Sequence, residues 1–283
     1  MRTIHILAFI VISIAIVSSM AIADTQREST FKNALDYYLK SNIMAETTHQ
    51  TYLLLEERNE MLCGLSENLE KSGEFPFEKF WENPDTKVLQ FQEIGFRDFF
   101  LSHALRQISG DKLFFNTAAK IINEPSDVTS ANLLEKLKVD VDEETFLKLE
   151  KTVQAFDASS NLPQFELLSA SLHKDDTTKQ PFYIEGTLQR EGDPINVFKI
   201  GYVIEFRDGT SFIGELDMPG QKSEFKIATS TQPVSIEFDP GFDLFRYIPK
   251  SDRENEKIRN ESMRSVFDMM IVCKNGLCTT EEI

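Results

Sequence analysis

The chain has 283 residues, with 30 lysines and arginines against 46 aspartates and glutamates, which gives a formal net charge of −16. This acidic balance excludes the basic face that nucleic-acid binding or attachment to an anionic membrane requires, so neither partner is expected. The length suffices for one large or two modest domains, and a hydrophobic content of 41% is enough for a substantial core.

An apolar stretch over residues 3–23 predicts a signal peptide. Arg2 precedes it, and Ala21-Ile22-Ala23 forms a small-x-small cleavage site before Asp24. The run is also long enough for an uncleaved anchor helix, which is the alternative. We expect cleavage after residue 23, no stable membrane insertion afterwards, and a periplasmic or extracellular location.

Residues 24–161 have the apolar periodicity of short helices with short connections, which predicts an α-helical domain. Gly110 and Asp111 are expected to end one helix and cap the next. The aromatic cluster at residues 75–81 is interpreted as a loop packed on this core. An early helix contains Phe31, Leu35, Tyr38 and Leu39, and further helices are predicted over residues 47–71, 93–107, 112–123, 131–138 and 142–155.

Residues 162–248 change to a period of two, which predicts an antiparallel β-sandwich. In its last strand Ile236 and Phe238 are expected to face the core, and Ser235 and Glu237 the solvent. The predicted fold class is α+β, with a helical region, then the sandwich, then a short tail over residues 249–283. Strands are predicted over residues 164–173, 182–190, 196–206, 210–216, 224–229 and 234–238.

Asp239, Pro240, Gly241 and Arg246 are predicted to form a structural motif at the end of the sandwich. Proline cannot donate a hydrogen bond to a neighbouring strand, and glycine is expected to accommodate the turn that follows. The motif is assigned no catalytic role.

The tail has two interpretations. Cys273 and Cys278 flank Asn275-Gly276, the strongest two-residue hairpin signal, and this register places the two cysteines within disulfide distance in an oxidising compartment. The competing interpretation is a helix over residues 254–274, with Gly276 just beyond its end.

Cys63 and Asn260 are two isolated residues with possible chemistry. Cys63 is expected to remain a single buried thiol, since such a residue is more often core than nucleophile. Asn260-Glu261-Ser262 is an N-glycosylation sequon, which has meaning only in a eukaryotic protein.

Four stretches resemble the aminopeptidase N-like zinc peptidases. Residues 99–115 are similar to that family's helix and turn, of the form K-G-A-x-x-x-H-M-L-R-x-x-x-G-D-E-x-F. Residues 130–137 resemble the next short helix, residues 162–168 the junction into the β-domain, and residues 239–246 the end of that domain. The resemblance covers about residues 93–246 and implies the C-terminal half of the family's fold.

Activity in that family requires a His-Glu-x-x-His helix and a later glutamate, which together hold a zinc ion that activates water. Beyond the signal peptide the chain has His49, His103 and His173, and none of them opens such a motif. When Asn59-Glu60 is aligned with the third-ligand motif, the zinc helix falls on residues 37–41, Tyr-Tyr-Leu-Lys-Ser, which contain no ligand.

The family's catalytic tyrosine aligns with Gly95, or with Gln92 after a small shift. Neither is a tyrosine, so we assign no catalytic residue, no metal ligand and no cofactor. His103 lies at the family's helix-histidine position and is expected to pack on its helix face. The acidic pairs Glu143-Glu144 and Asp175-Asp176 are expected to be solvated or to cap helices.

The leading hypothesis is therefore an exported, non-catalytic protein that binds a peptide or a protein partner. The alternatives are a hydrolase with a non-zinc site assembled from scattered residues, a component of a peptidase assembly, and a chain with no selected role.

Overall fold

The computed structural model describes residues 31–72, 87–124, 128–158, 162–192, 199–218, 220–253, 260–274 and 277–283. The chain divides into two compact units, one within Met1–Gln50 and Pro76–Phe156, the other within Thr51–Phe75 and Asp157–Ile283. Helices dominate the first half and strands the second, so the predicted α+β class is confirmed. The predicted signal peptide and the aromatic cluster at residues 75–81 are outside the described residues.

The first unit is helical. Apolar side chains three and four residues apart give each helix one buried face, and Leu35, Tyr38, Phe99, Leu105 and Phe114 are among the buried residues. The helices are α1 (residues 31–48), α3 (Lys87–Ser109), α4 (Asp111–Ile122), α5 (Ser130–Leu137) and α6 (Glu143–Ala158), with a 3-10 turn at Lys138–Asp140.

The boundary between α3 and α4 depends on Gly110. Its φ of 84° lies in the left-handed region that favours glycine, and its N–H donates to the Arg106 carbonyl at 2.8 Å, which closes α3. Gly110 is also the N-cap residue of α4. The expected cap, Asp111, is instead the first residue of α4, where a carboxylate suits the positive end of the helix.

The second unit contains a β-sandwich and the helix α2 (Tyr52–Ser72). The first sheet has the order β5-β2-β1-β8-β9 and the second β4-β3-β6-β7. Neighbouring strands are antiparallel except β1 and β8, which are parallel. The strands are β1 (Gln164–Lys174), β2 (Phe182–Glu191), β3 (Lys199–Phe206), β4 (Ser211–Asp217), β5 (Lys222–Thr229), β6 (Pro233–Phe238), β7 (Arg264–Val266), β8 (Met269–Lys274) and β9 (Leu277–Glu282).

One hydrophobic core joins the two sheets. Ile184 and Leu188 of the first sheet share a buried cluster with Ile236 and Phe238 of the second. The Phe225 ring crosses the interface, with its centroid 5.1 Å from that of Phe238. Alternating residues therefore point inward from both sheets, as face-to-face sheet packing requires.

The expectation that Ser235 faces solvent is wrong. Alternation does put Ser235 on the outer face of β6, but the residue is only 3% exposed. Its hydroxyl donates to Glu205 Oε2 at 2.6 Å, and Arg264 donates to the same oxygen at 3.1 Å. Side chains from β3 and β7 thus cover β6 from both sides. The same burial raises the pKa of the neighbouring Glu237 carboxyl.

Helix α2 is attached to the segment that follows β6. Arg58 forms an ion pair with Asp243, and the Ile248 N–H donates to Ser66 Oγ at 2.8 Å. Tyr247 and Arg253 both donate to the Glu70 carboxylate, and these hydrogen bonds lower the pKa of Glu70. These contacts explain why α2 belongs to the second unit although it lies between α1 and α3 in the chain.

The tail forms a hairpin, so the helical interpretation of residues 254–274 is wrong for the part that is described. After a short helix, α7 (Lys250–Arg253), and a 3-10 turn at Glu261–Met263, the chain forms β7, β8 and β9. Cys273 is opposite Cys278 and bonded to it in a disulfide with a Cα–Cα distance of 4.1 Å. Asn275 and Gly276 are outside the described residues.

Candidate functional site

Three buried polar side chains in the second unit bind one another, and we call Asp239, Arg246 and Asn260 the buried lock. Their exposed fractions are 1%, 0% and 1%. Arg246 Nε donates to Asp239 Oδ2 at 2.7 Å, and Arg246 Nη2 donates to Asn260 Oδ1 at 2.6 Å. Asp239 Oδ1 also accepts the N–H groups of Asp243 and Leu244, at 2.7 and 3.2 Å. The buried guanidinium and carboxylate therefore neutralise each other within the core.

The turn beside the lock is left-handed at Asp239 and Phe242, with φ of 52° and 50°. Gly241, between them, has no positive φ. A Cβ at position 241 would be 2.8 Å from Asp243 Oδ2, so a larger residue there requires the Asp243 side chain to shift. The structure brings Asp239 and Arg246 together, with Pro240 and Gly241 in the turn between them. Nothing in the sequence except its sequon drew attention to Asn260.

A second polar group, the histidine cluster, lies in the first unit and contains Tyr38, Asn42, His103, Arg106 and Asp111. His103 is 7% exposed and has its Nδ1 3.0 Å from the Tyr38 hydroxyl. Arg106 Nη1 donates to Asn42 Oδ1, and Arg106 donates twice to Asp111, at 2.8 and 3.1 Å. The hydrogen bonds from Arg106 lower the pKa of Asp111. His103 is thus packed on its helix face, and Arg106 is held by groups of the protein itself.

The remaining histidines and the residues aligned with the zinc motif lie on different elements of the chain. His49 ends α1 with a φ of 56°, whereas His173 lies on β1 with its ring stacked on Tyr183 at 4.9 Å. Residues 37–41 belong to the first compact unit, and Glu60 to the second. Within the described ranges, no three His, Cys, Asp or Glu side chains are grouped so that they could hold a metal ion.

Strand β4 exposes two large apolar side chains. It pairs on one side with β3, in unbroken register from Lys199 opposite Asp217 to Glu205 opposite Ser211, and is the last strand of its sheet. Phe212 is 49% exposed and Ile213 is 76% exposed. Because consecutive residues of a strand face opposite ways, both faces of β4 present an apolar side chain at this point.

The other sheet edges differ from β4. The edge strand β5 has the exposed charged residues Lys222, Glu224 and Lys226, and Lys226 is paired with Glu185 of β2. Strand β7 has three residues, and β9 ends in two glutamates. Short strands and charged side chains are the usual protection of a sheet edge against another strand. The first half of β4 has neither.

Comparison with known proteins gives partial structural matches only. No family model matches the chain, and no curated protein matches it either. Among solved structures it is similar to Legionella pneumophila aminopeptidase A in complex with aspartic acid, at 14% sequence identity and a TM-score of 0.43. The match covers 58% of this chain and 18% of that chain.

In the described part of the chain, no helix combines the length and the apolar character that crossing a bilayer requires.

Proposed function

We propose that the protein is an exported, non-catalytic binding module that captures an extended segment of a partner protein along strand β4. The observation that carries this proposal is the position of β4 at the edge of its sheet among the described strands, with Phe212 and Ile213 exposed on opposite faces. Two sequence features support it: the resemblance of residues 93–246 to the C-terminal half of aminopeptidase N-like peptidases, and the absence of that family's zinc motif.

Strand addition matches the chemistry of this edge. An edge strand has unpaired N–H and C=O groups along one side, and an added strand hydrogen-bonds to them. Apolar side chains of the added strand then cover Phe212 on one face and Ile213 on the other, which removes apolar surface from water. The seven residues of β4 set the length of the segment that pairs.

Charge narrows the choice of partner. Asp217 is exposed at the C-terminal end of β4, where Glu215 is also exposed but forms an ion pair with Lys199 of β3. The whole chain has a net charge of −16. A segment with Lys or Arg opposite that end is attracted, whereas an acidic segment or a second copy of this chain is repelled. The expected partner is therefore an extended, apolar segment with a basic flank.

Selection of phage-displayed random linear peptides on the immobilised protein tests the proposal. We expect enriched peptides that alternate apolar residues and carry basic residues at one end. Their affinity should fall at least tenfold for Ile213→Lys. Val139→Lys is the matched control, because Val139 is 80% exposed and lies in the other unit, and it should bind like the unmodified chain.

Three results would overturn the proposal: no enrichment of any peptide, equal binding by the Ile213→Lys variant, or a stable homodimer that this substitution dissociates. The last result would make a second copy the occupant of the edge.

A further inference from the structure

Asn260-Glu261-Ser262 has the pattern to which a eukaryotic secretory pathway attaches an N-linked glycan. Such a glycan is bonded to the amide nitrogen of the asparagine and has to project into solvent. Asn260, however, is 1% exposed and belongs to the buried lock. The fold thus buries the Asn260 side chain, whereas glycosylation requires it to be exposed.

The protein engages both N–H groups and the oxygen of the Asn260 amide. Oδ1 accepts from Arg246 Nη2 at 2.6 Å. Nδ2 donates to the carbonyl oxygens of Phe238 and Asp239 at 2.6 and 3.1 Å. A glycosidic bond replaces one of the two N–H groups, so at least one of these buried carbonyls loses its donor.

The described residues around the amide are buried as well. Phe238, Asp239 and Arg246, which the amide contacts, are all at most 1% exposed. The third residue of the sequon is engaged as well, because the Ser262 hydroxyl donates to Asp252 Oδ2 at 2.8 Å. A glycan on Asn260 therefore requires the lock to open and the end of β6 to separate from the segment that starts at residue 260.

We infer that N-glycosylation of Asn260 and the native fold exclude each other, so that Asn260 serves as the structural third member of the lock and its sequon is not used in the folded protein. The inference does not depend on the binding role proposed for β4.

Secretion of the full chain from a eukaryotic host provides the test. Glycan occupancy at residue 260 is read by mass spectrometry, separately for the protease-resistant, soluble fraction and for the protease-sensitive or aggregated fraction. We expect the resistant fraction to be unmodified at Asn260, and any glycosylated chains to be confined to the sensitive fraction.

Asp176→Asn is the matched positive control. This substitution creates a sequon ending at Thr178, in the exposed turn between β1 and β2, where the Asp176 side chain is 47% exposed. Its protease-resistant fraction should carry a glycan at position 176 and none at Asn260, which shows that the host modifies this chain. Protease-resistant protein with a glycan on Asn260 would overturn the inference.

Discussion

At the residue scale, two phenylalanines on predicted strands differ in burial, and we expect them to differ in their contribution to stability. Phe238 is completely buried and packs against Phe225, whereas Phe212 is 49% exposed. We expect Phe238→Ala to lower the free energy of unfolding by about 3–5 kcal/mol, because it removes a buried ring and leaves a cavity. The control Phe212→Ala should cost less than about 1 kcal/mol, since its site is not closed. Chemical denaturation measures both, and similar losses would contradict this description of the core.

The buried lock gives a second prediction at this scale. Arg246→Met removes the charge that neutralises Asp239, whose carboxylate is 1% exposed, and we expect a loss of about 3–5 kcal/mol in unfolding free energy. The control is Arg264→Met, which breaks the ion pair between Arg264 and Glu205. The Arg264 side chain is 32% exposed and the Glu205 side chain 54% exposed. That loss should be at most about 1 kcal/mol. If urea titrations gave equal losses of unfolding free energy for the two variants, the Asp239–Arg246 pair would not be buried as described.

Cys63 gives a prediction that depends on pH. Burial raises the pKa of its thiol, and this effect is larger than the opposite effect of the positive charges on Arg253 and Arg246, which lower that pKa. A raised pKa leaves less thiolate at any given pH, and the thiolate is the reactive form. Near about pH 8, iodoacetamide should alkylate Cys63 more slowly in the folded protein than after denaturation. Protonation favours the folded state, so stability should fall as the pH rises through the folded-state pKa. A folded thiol that reacts as fast as the denatured one would disprove the shift.

The sequence predicts which face of β6 Ser235 occupies, but not its burial. Local alternation gives the side of the sheet, because it depends only on the period of the strand. The cover over Ser235 comes from Glu205 of β3 and Arg264 of β7, and only the sheet order places them there. Asn260 is missed for the same reason, since its partners precede it by 14 to 22 residues.

At the element scale, the described strands follow the predicted ones closely because hydrophobic alternation and turn residues are local signals. Arg207-Asp208-Gly209 forms the turn between β3 and β4, with Gly209 at a φ of 82°. The sequence of the tail allows either a helix or a hairpin, because a short apolar run is compatible with the period of a helix and with that of a strand. Pairing of β8 with β1, about a hundred residues earlier in the chain, is not visible in the local pattern.

The tail hairpin gives a prediction for the disulfide. Cys273 and Cys278 are five residues apart. Because a disulfide stabilises a protein less when it closes a shorter loop, its contribution here should be far below the roughly 3 kcal/mol estimated for a 15-residue loop. Replacing both cysteines with serine should therefore change the midpoint of thermal unfolding only slightly. Peptide mapping without reductant should recover the Cys273–Cys278 bridge and an unpaired Cys63. A disulfide peptide that contains Cys63, or a large loss of stability in the double variant, would contradict this expectation.

At the scale of the whole molecule, the expectation to test is that the purified protein does not hold zinc. Its physical reason is that none of His49, His103 and His173 opens a His-Glu-x-x-His motif, and that the described residues contain no group of three His, Cys, Asp or Glu side chains that could hold a metal ion. Elemental analysis after dialysis should give well below one zinc per chain, and aminoacyl-amide substrates should not be cleaved. One tightly bound zinc that is lost on replacing His103 or His173 would contradict both expectations.

The place of α2 in the second unit has a consequence for biosynthesis. Arg58 on α2 pairs with Asp243, 185 residues further along the chain, so a ribosome makes this helix long before its packing surface exists. Until then the apolar side chains Met61, Leu62 and Leu65, buried in the finished protein, lack their final contacts. A nascent chain at this stage exposes apolar surface of the kind that chaperones bind. Completion of the sandwich is thus a late event, and chains truncated before residue 243 should remain bound to chaperones, whereas the full-length chain is released.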